Sequence, residues 1–297
     1  MVYDCIVIGG GPGGLSAAIY LGRANKKTLL IYSGPMRTSL SVHINNYLGF
    51  DNITGPDLLE AGMEQAKKYG VEVVLSTVRD VSKEDVFKVV TSEGIFPSRY
   101  VIAASGINDV LPDIDNLSDF LGETFFTCLD CDGYRMTGKR AVIIGNGDGV
   151  ARTALAVRQI YTDKITICTG KDNKISVEYM DKMRVEKIKV VNKGVKHLNG
   201  TVPCCISSVV LEDDSEIECD CVLSDMGYSR NDSFLMGLDL RRSKAGFVEV
   251  DGNYESSVKG LFAVGPLNTG PDQISVAVGQ GAVAAMHIIE SDFDLEA

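Results

Sequence analysis

The chain has 297 residues, 45% of them hydrophobic, with 29 Lys and Arg against 40 Asp and Glu, a formal net charge of −11. That length has room for two domains of ordinary size, each with a sizeable core. The negative balance argues against nucleic acid and anionic membranes as partners, because their phosphates would be repelled.

No stretch reads as approaching the ~20 apolar residues of a membrane span. The N-terminus runs straight into an apolar strand pattern, without a basic region or a small-residue cleavage site, so it does not read as a signal peptide. The cytosol is the expected compartment. In that reducing setting the eight cysteines should not build a structural disulfide framework.

Residues 3–8 form a short apolar, β-branched run that enters Gly9-Gly-Gly-Pro-Gly-Gly14. A helical pattern rich in Ala and Leu follows over 15–23, and 28–32 is the next strand, a βαβ unit of minimum length. Gly9, Gly11 and Gly14, with Pro12 among them, make a GxGxxG loop. Its first two glycines let the backbone turn tightly and approach a pyrophosphate, which the N–H groups of the helix N-terminus would face. An acidic residue usually follows about 20 positions on to hold ribose hydroxyls. Here the second strand ends at Tyr32-Ser33-Gly34, and the Ser33 hydroxyl is a weaker substitute. His43 lies in a polar, aromatic loop, where it could contact a cofactor ring, act as a base or serve as an ordinary surface or core histidine. His197 and His287 read as structural, and the three histidines have no metal-ligand spacing.

Residues 72–92 and 95–104 read as strands with turns, and 111–117, which includes Pro112, as a crossing linker. Cys128 and Cys131 sit in Thr-Cys-Leu-Asp-Cys-Asp-Gly-Tyr, a spacing that suits a small, easily reduced disulfide. Thiolates do the exchange, and a helix N-terminus lowers their pKa. The adjoining Asp132 could move a proton to and from a thiol. A merely structural pair is the alternative.

A second strand–loop–helix–strand pattern covers 140–144, 145–149, 150–161 and 164–168. Gly145 and Gly147, with Asp148 and Gly149, form its loop, and Val150 stands where Gly or Ala packs best. An acid at the end of the next strand would favour NAD, and arginines would favour NADP. Residues 168–173 offer neither, and Lys171 is a lone cation. A vestigial and a filled nucleotide site are both consistent with this loop. Cys5 and Cys168 read as core residues. The pairs Cys204–Cys205 and Cys219–Cys221 lie in alternating, strand-like sequence without zinc-knuckle spacing, so no metal is expected. Only Cys128 and Cys131 have redox spacing.

Residues 229–232 read as the return crossing, 261–265 as a buried strand and 274–289 as a helix dense in Gly and Ala. Close helix–backbone approach explains its small residues, Gly279, Gly281, Ala282, Ala284 and Ala285, as well as cofactor proximity at the helix start, 272–274, does. The C-terminal piece is too short to fold alone and should complete the first domain. The expected fold is α/β, with two Rossmann-like nucleotide-binding domains, the second inserted into the first. The first spans 1–112 and 233–297, and the second, 113–232, carries the CxxC. The acidic tail after Glu290 reads as frayed.

At this point the chain resembles the low-molecular-weight thioredoxin reductase family over nearly its whole length. Gly9 to Gly14 resembles the family's FAD pyrophosphate loop, and Asn46-Tyr-Leu-Gly49 a segment beside the flavin. Residues 102–106, with Ser105 and Gly106, resemble its Ala-Thr-Gly turn. Cys128 to Gly133 matches its Cys-x-x-Cys-Asp-Gly centre, and 227–231 its crossing segment. Gly260 to Gly265 resembles its second FAD motif, followed by Gln273 and Ile274. The resemblance implies FAD as cofactor, a homodimer and a thioredoxin-like or other disulfide substrate. It also implies that Cys131 faces the flavin, Cys128 attacks the partner and Asp132 is the acid/base, with two domains that rotate relative to each other.

Three departures stand against these matches. The His-Arg-Arg-x-x-x-Arg cluster for the NADPH phosphate is absent around 169–176, the aspartate after Gly265 is Pro266, and Gly-Gly-Gln is replaced by Gly34-Pro-Met-Arg37. The chain is therefore expected in an NADPH-independent branch, like the diflavin-linked disulfide oxidoreductases or the ferredoxin-linked thioredoxin reductases. A second FAD at Gly145, Gly147, Asp148 and Gly149 would not miss the lost cations. A dithiol oxidase using oxygen, a flavoprotein redox sensor and a conventional NAD(P)H thioredoxin reductase are the alternatives.

Overall fold

The computed structural model describes residues 1–268 and 270–291. The acidic tail, apart from Ser291, lies outside the described residues. The chain forms two compact units, Met1–Asn108 with Ser229–Ala297, and Asp109–Tyr228. It passes from one to the other four residues before each expected domain boundary, at the paired strands Ile107–Asp109 and Tyr228–Arg230.

In the first unit, strand Tyr3–Ile8 lies between Thr28–Tyr32 and Gly94–Ala103, parallel to both. Glu72–Leu75 extends the sheet beyond Thr28–Tyr32, and Leu261–Ala263 joins Gly94–Ala103, also parallel. Phe87–Thr91 and Val78–Lys83 continue it antiparallel. Cys5, Ile6 and Val7 are fully buried, because a central parallel strand is covered on both faces. Strand order reverses between Tyr3–Ile8 and Gly94–Ala103, and the glycine loop leaves the sheet at that switch point, where open α/β sheets bind ligands. The first helix, Pro12–Arg23, starts three residues earlier than the Ala/Leu pattern predicts, since proline's fixed φ suits the first helical turn. Helix Gly55–Lys68 has no counterpart among the expected elements. It is capped by the Thr54 hydroxyl, which accepts the Asp57 N–H at 3.2 Å.

Helix Ile274–Ser291 corrects one expectation. By length and composition it is apolar enough to cross a membrane. Packing accounts for one face of it, with 28% of that stretch buried. A Cβ on Gly13 would lie 3.1 Å from the Ala277 carbonyl oxygen, and one on Gly281 3.2 Å from the Ala17 nitrogen. The small residues let this helix lie directly on Pro12–Arg23.

In the second unit five parallel strands run in the order Lys189–Val191, Ile165–Cys168, Ala141–Gly145, Cys221–Asp225 and Phe125–Phe126. A three-stranded antiparallel sheet, Val195–Thr201, Cys205–Leu211 and Glu216–Glu218, accompanies them. Helix Gly147–Ile160 comes after the central strand and begins inside the second glycine loop rather than beyond it, because Asn146 caps it there. Both units are thus built on a Rossmann-like parallel sheet.

Candidate active site

The thiol pair is held in the second unit. Cys128 and Cys131 are joined by a disulfide, with Cα atoms 5.3 Å apart. Cys128 ends the extended stretch after Phe125–Phe126 and caps the single helical turn Leu129–Asp132. The Cys131 N–H donates to Cys128 Sγ at 3.2 Å, and the Asp132 N–H donates to the Cys128 carbonyl at 3.1 Å. Both cysteines are half-buried. The following Gly133 is required by space, since a Cβ there would sit 2.6 Å from the Tyr161 ring.

Arg135 is the residue that sequence reasoning missed. Its guanidinium donates to the carbonyls of Gly122 at 2.7 Å and Glu123 at 2.5 Å, and to Asp132 Oδ1 at 3.4 Å. It also pairs with the Glu123 carboxylate at 3.6 Å and stacks 4.9 Å from the Phe126 ring centre. The side chain is thereby fixed at its edge by hydrogen bonds and on one face by the ring, and it anchors Asp132 beside the disulfide. The available signal is the i, i+3 spacing from Asp132, which places opposite charges on one face of a helical turn.

The first unit gathers the residues expected around a flavin. Gly9 has φ +118°, and a Cβ there would lie 2.7 Å from the Ser105 nitrogen; one on Gly14 would overlap the Gly9 carbonyl. Both positions therefore need glycine. Gly11 meets nothing within 4 Å, so its surface is open to an approaching group. Among the described residues no side chain caps the helix at Gly11, and its first turn, with Pro12 at its start, has no acidic residue. These features fit the diphosphate of FAD, whose charge the bare N–H groups would meet. Ser33 is exposed at the end of the second strand.

Asn46 and Gln273 meet directly, with Asn46 Nδ2 donating to Gln273 Oε1 at 3.0 Å. One residue away, Arg37 pairs with Asp272 at 2.8 Å, so two contacts bind the loop after the second strand to the start of helix Ile274–Ser291. Ser105 donates to the Asn231 carbonyl at 2.6 Å, and Gly106, at φ +70°, accepts the Asn231 N–H at 3.0 Å. Gly265, at φ +69°, donates to Gln280 Oε1 at 2.6 Å, and Asn268 Nδ2 donates to the same oxygen at 2.9 Å. Asn268 and Gln280 are buried and stand outside the expected site. Their spacing from Gly265 has no pattern legible in one sequence, because the contact spans a turn and one helix face. Ile274 opens the last helix.

The second glycine loop differs. Gly147 has φ +73°, and its N–H is already taken by Asn146 Oδ1 at 2.7 Å. The same oxygen accepts the Lys174 N–H at 2.7 Å, Asn146 Nδ2 donates to the Asp172 carbonyl, and Asp148 accepts the Ser176 N–H at 2.7 Å. The segment after strand Ile165–Cys168 is thus tied back onto the loop. Lys171 pairs with Glu212 at 3.4 Å. Gly149 meets nothing within 4 Å.

The other thiols separate into two kinds. Burial pushes Cys168 up to about 11, Cys219 to about 12 and Cys221 to about 11, and Cys5 is raised further. These four remain protonated thiols near neutral pH and are poor nucleophiles. Cys204 and Cys205 are bonded to each other. CxxC spacing is confined to Cys128 and Cys131, and the adjacent pair is a second disulfide that this spacing does not pick out.

The model of the pyridine nucleotide-disulphide oxidoreductase family matches residues 3–281. The thioredoxin reductase of Bacillus subtilis is 30% identical over 299 residues, covering 97% of this chain and 94% of that protein. The crystal structure of thioredoxin reductase from Streptococcus pyogenes MGAS5005 aligns with a TM-score of 0.90 at 25% identity, over 98% of this chain and 99% of that one. The atypical thioredoxin reductase TRi from Desulfovibrio vulgaris Hildenborough is 32% identical over 98% and 99% of the two chains, with a TM-score of 0.54.

Proposed function

Since the chain belongs to the pyridine nucleotide-disulphide oxidoreductases and is a thioredoxin reductase-like, flavin-dependent enzyme, we propose that it passes electron pairs between FAD and the Cys128–Cys131 disulfide, and on to a protein disulfide such as that of a thioredoxin, without NADPH as donor. One observation carries this reading: a half-buried Cys128–Cys131 disulfide stands beside an anchored carboxylate in a chain whose first glycine loop has an open helix N-terminus.

Gly9, Gly11 and Gly14 would hold the FAD diphosphate, and Asn46, Ser105, Gly106, Gly265, Gln273 and Ile274 would line the rest of that site. FAD supplies a two-electron carrier when bound. The protein supplies the thiols and the proton. Asp132 exchanges a proton with the Cys131 thiol as the disulfide opens and closes, and Arg135 keeps the carboxylate in reach. Cys128 is the thiol that attacks the partner disulfide, and Cys131 resolves the mixed disulfide.

The segment after strand Ile165–Cys168 is the basis for NADPH independence. Residues 169–176 contain no arginine, and Lys171 is engaged by Glu212. Asn146 takes the N–H of Gly147 that a diphosphate would use. The same tie favours one flavin per chain over a second FAD at Gly145, Gly147, Asp148 and Gly149. A cytosolic homodimer is the accompanying expectation, drawn from the likeness to thioredoxin reductases.

The test is anaerobic. FAD-loaded protein should keep its flavin absorbance when NADPH is added in the micromolar range and lose it on adding a small dithiol. Rapid bleaching by NADPH would return the chain to the conventional NADPH-dependent reading. A flavin indifferent to dithiols in the native chain would sink the disulfide reading itself.

A further inference from the structure

We infer that Cys204–Cys205 is a second exchangeable disulfide of this protein, separate from Cys128–Cys131, which soluble dithiols open and disulfides of the same class close.

The two cysteines come directly after Val202-Pro203 at the tip of the hairpin formed by Val195–Thr201 and Cys205–Leu211. Residues 201–205 are all exposed. The strand next to the tip is held independently of the sulfurs. The Ile206 N–H donates to Thr124 Oγ1 at 3.2 Å, and the Cys219 N–H donates to the Ser207 carbonyl at 3.1 Å. Thr201 already pairs with Cys205 across the strands.

A bond between adjacent residues closes no chain loop. The stabilisation of a disulfide grows with the length of loop it closes, so this one has almost none to give. It is not a staple, and what remains is its chemistry. Exposure lets a thiolate reach either sulfur. Residues 199–208 carry no charged side chain of their own, and the carboxylate that meets this stretch, Glu216, is held by Asn199 and Ser208, further down the strands than the tip. The four remaining thiols are the contrast: all are buried, and burial holds them protonated.

The exchange is balanced in atoms and electrons. One thiolate of the dithiol attacks Cys204 Sγ or Cys205 Sγ, forming a mixed disulfide and releasing the other sulfur as a thiolate. The second thiol of the reagent then attacks the mixed disulfide. The dithiol leaves as a cyclic disulfide, oxidised by two electrons, and Cys204 and Cys205 become two thiols after taking up its two protons.

The experiment is peptide-resolved alkylation of the folded, FAD-loaded native chain, with dithiothreitol as the dithiol and iodoacetamide as the label. After air oxidation, Cys204 and Cys205 should be nearly unlabelled. Dithiothreitol should raise their labelling at least about tenfold while Cys5, Cys168, Cys219 and Cys221 stay protected, and oxidised dithiothreitol should reverse it. Full labelling before any dithiol, or none after it, overturns the inference. The peptide with Cys128 and Cys131 is read separately in the same sample. A site that cycles at 204 and 205 but not at 128 and 131 would sink the proposed function and leave this inference standing, and the opposite pattern would do the reverse.

Discussion

Gly9–Gly14 and Gly145–Gly149 each leave the end of a central parallel strand and open a helix, but the first helix starts without a side-chain cap and the second starts under Asn146. The first loop has Pro12 where a capped loop would have a donor to satisfy, no acid in its first turn, and an unobstructed Gly11. The second has committed the Gly147 N–H to Asn146 and tied its own Asn146 and Asp148 to residues 172–176. A helix N-terminus binds an external anion with the N–H groups its own chain leaves unpaired. Two loops of nearly the same spelling therefore differ in what they can offer a nucleotide. The second unit contributes its thiols instead.

Exchanging the glycines breaks this comparison most directly. Gly14→Ala would drive a methyl group into the Gly9 carbonyl, so the purified variant should be colourless, with flavin content below about a tenth of the native value. Gly11→Ala is the sharper variant. Its Cβ meets no protein atom, so the flavin-free protein should melt normally while FAD affinity falls about ten- to a hundredfold, read by flavin fluorescence titration. Gly149→Ala also has free space and should change neither quantity. A loss of flavin in Gly149→Ala equal to that in Gly11→Ala would mean that both loops bind nucleotide.

Within the second unit the thiol site should dominate the glycine loop. Asp132→Asn should lower dithiol-driven flavin reduction by about 10²–10⁴ and remove an ionisation from its pH–rate profile. Arg135→Ala frees the carboxylate without removing it, so its effect should be smaller, about tenfold, with the profile shifted rather than lost. Arg135→Lys keeps the charge but cannot span the Gly122 and Glu123 carbonyls together, and should fall between the native chain and Arg135→Ala. If Asp132→Asn leaves rate and profile unchanged, the proton passes through another group.

Alkaline titration separates the units by stability. Cys168, Cys219 and Cys221 are raised by burial from an ordinary 9.0 to about 11, 12 and 11. A group whose folded pKa is raised contributes stability below its unfolded pKa and loses it as pH climbs toward the folded value. Stability should thus be flat below about pH 9 and then fall by up to about 1.4 kcal/mol per pH unit for each thiol. The second unit has three such thiols and the first has Cys5, so urea unfolding between pH 9 and 11 should weaken the second unit more. Equal loss in both, tracked by unit-specific probes, would contradict the burial assigned to these cysteines.

Much of this is legible in the residues. The βαβ unit at 3–32 has a continuous apolar strand, a glycine turn and an Ala/Leu helix face, each of which has a local cause. The Cys128–Cys131 spacing and Asp132 are local too. Arg135 escapes such a reading because its importance lies in two carbonyls, of Gly122 and Glu123, that the chain brings round by a turn. Gln280 escapes it because it accepts a backbone N–H, of Gly265, and Asn268 because it donates to that same Gln280 oxygen, which no side-chain pattern advertises. Asn146 looks like the variable residue of a glycine motif, although Asn is among the strongest N-caps. The apolar length of 274–291 is easily underestimated because its glycines and alanines look neutral one at a time. Cys204–Cys205 reads only as strand-like sequence because adjacent cysteines match no zinc or CxxC spacing.

The smallest effect tests the cap itself. Asn146→Ala removes the acceptor for two backbone N–H groups, of Gly147 and Lys174, at the start of helix Gly147–Ile160. Loss of an N-cap costs about 1 kcal/mol, so the urea midpoint of the second unit should fall measurably while flavin content stays unchanged. Because residues 169–176 still contain no arginine, freeing the Gly147 N–H should not by itself make NADPH a reductant of the flavin. A variant that gains NADPH-driven bleaching would show that Asn146 alone had been blocking a nucleotide site that is otherwise intact. A variant that loses stability without gaining a donor places the difference between the two loops in the whole strand-to-helix segment, including the arginines missing from residues 169–176.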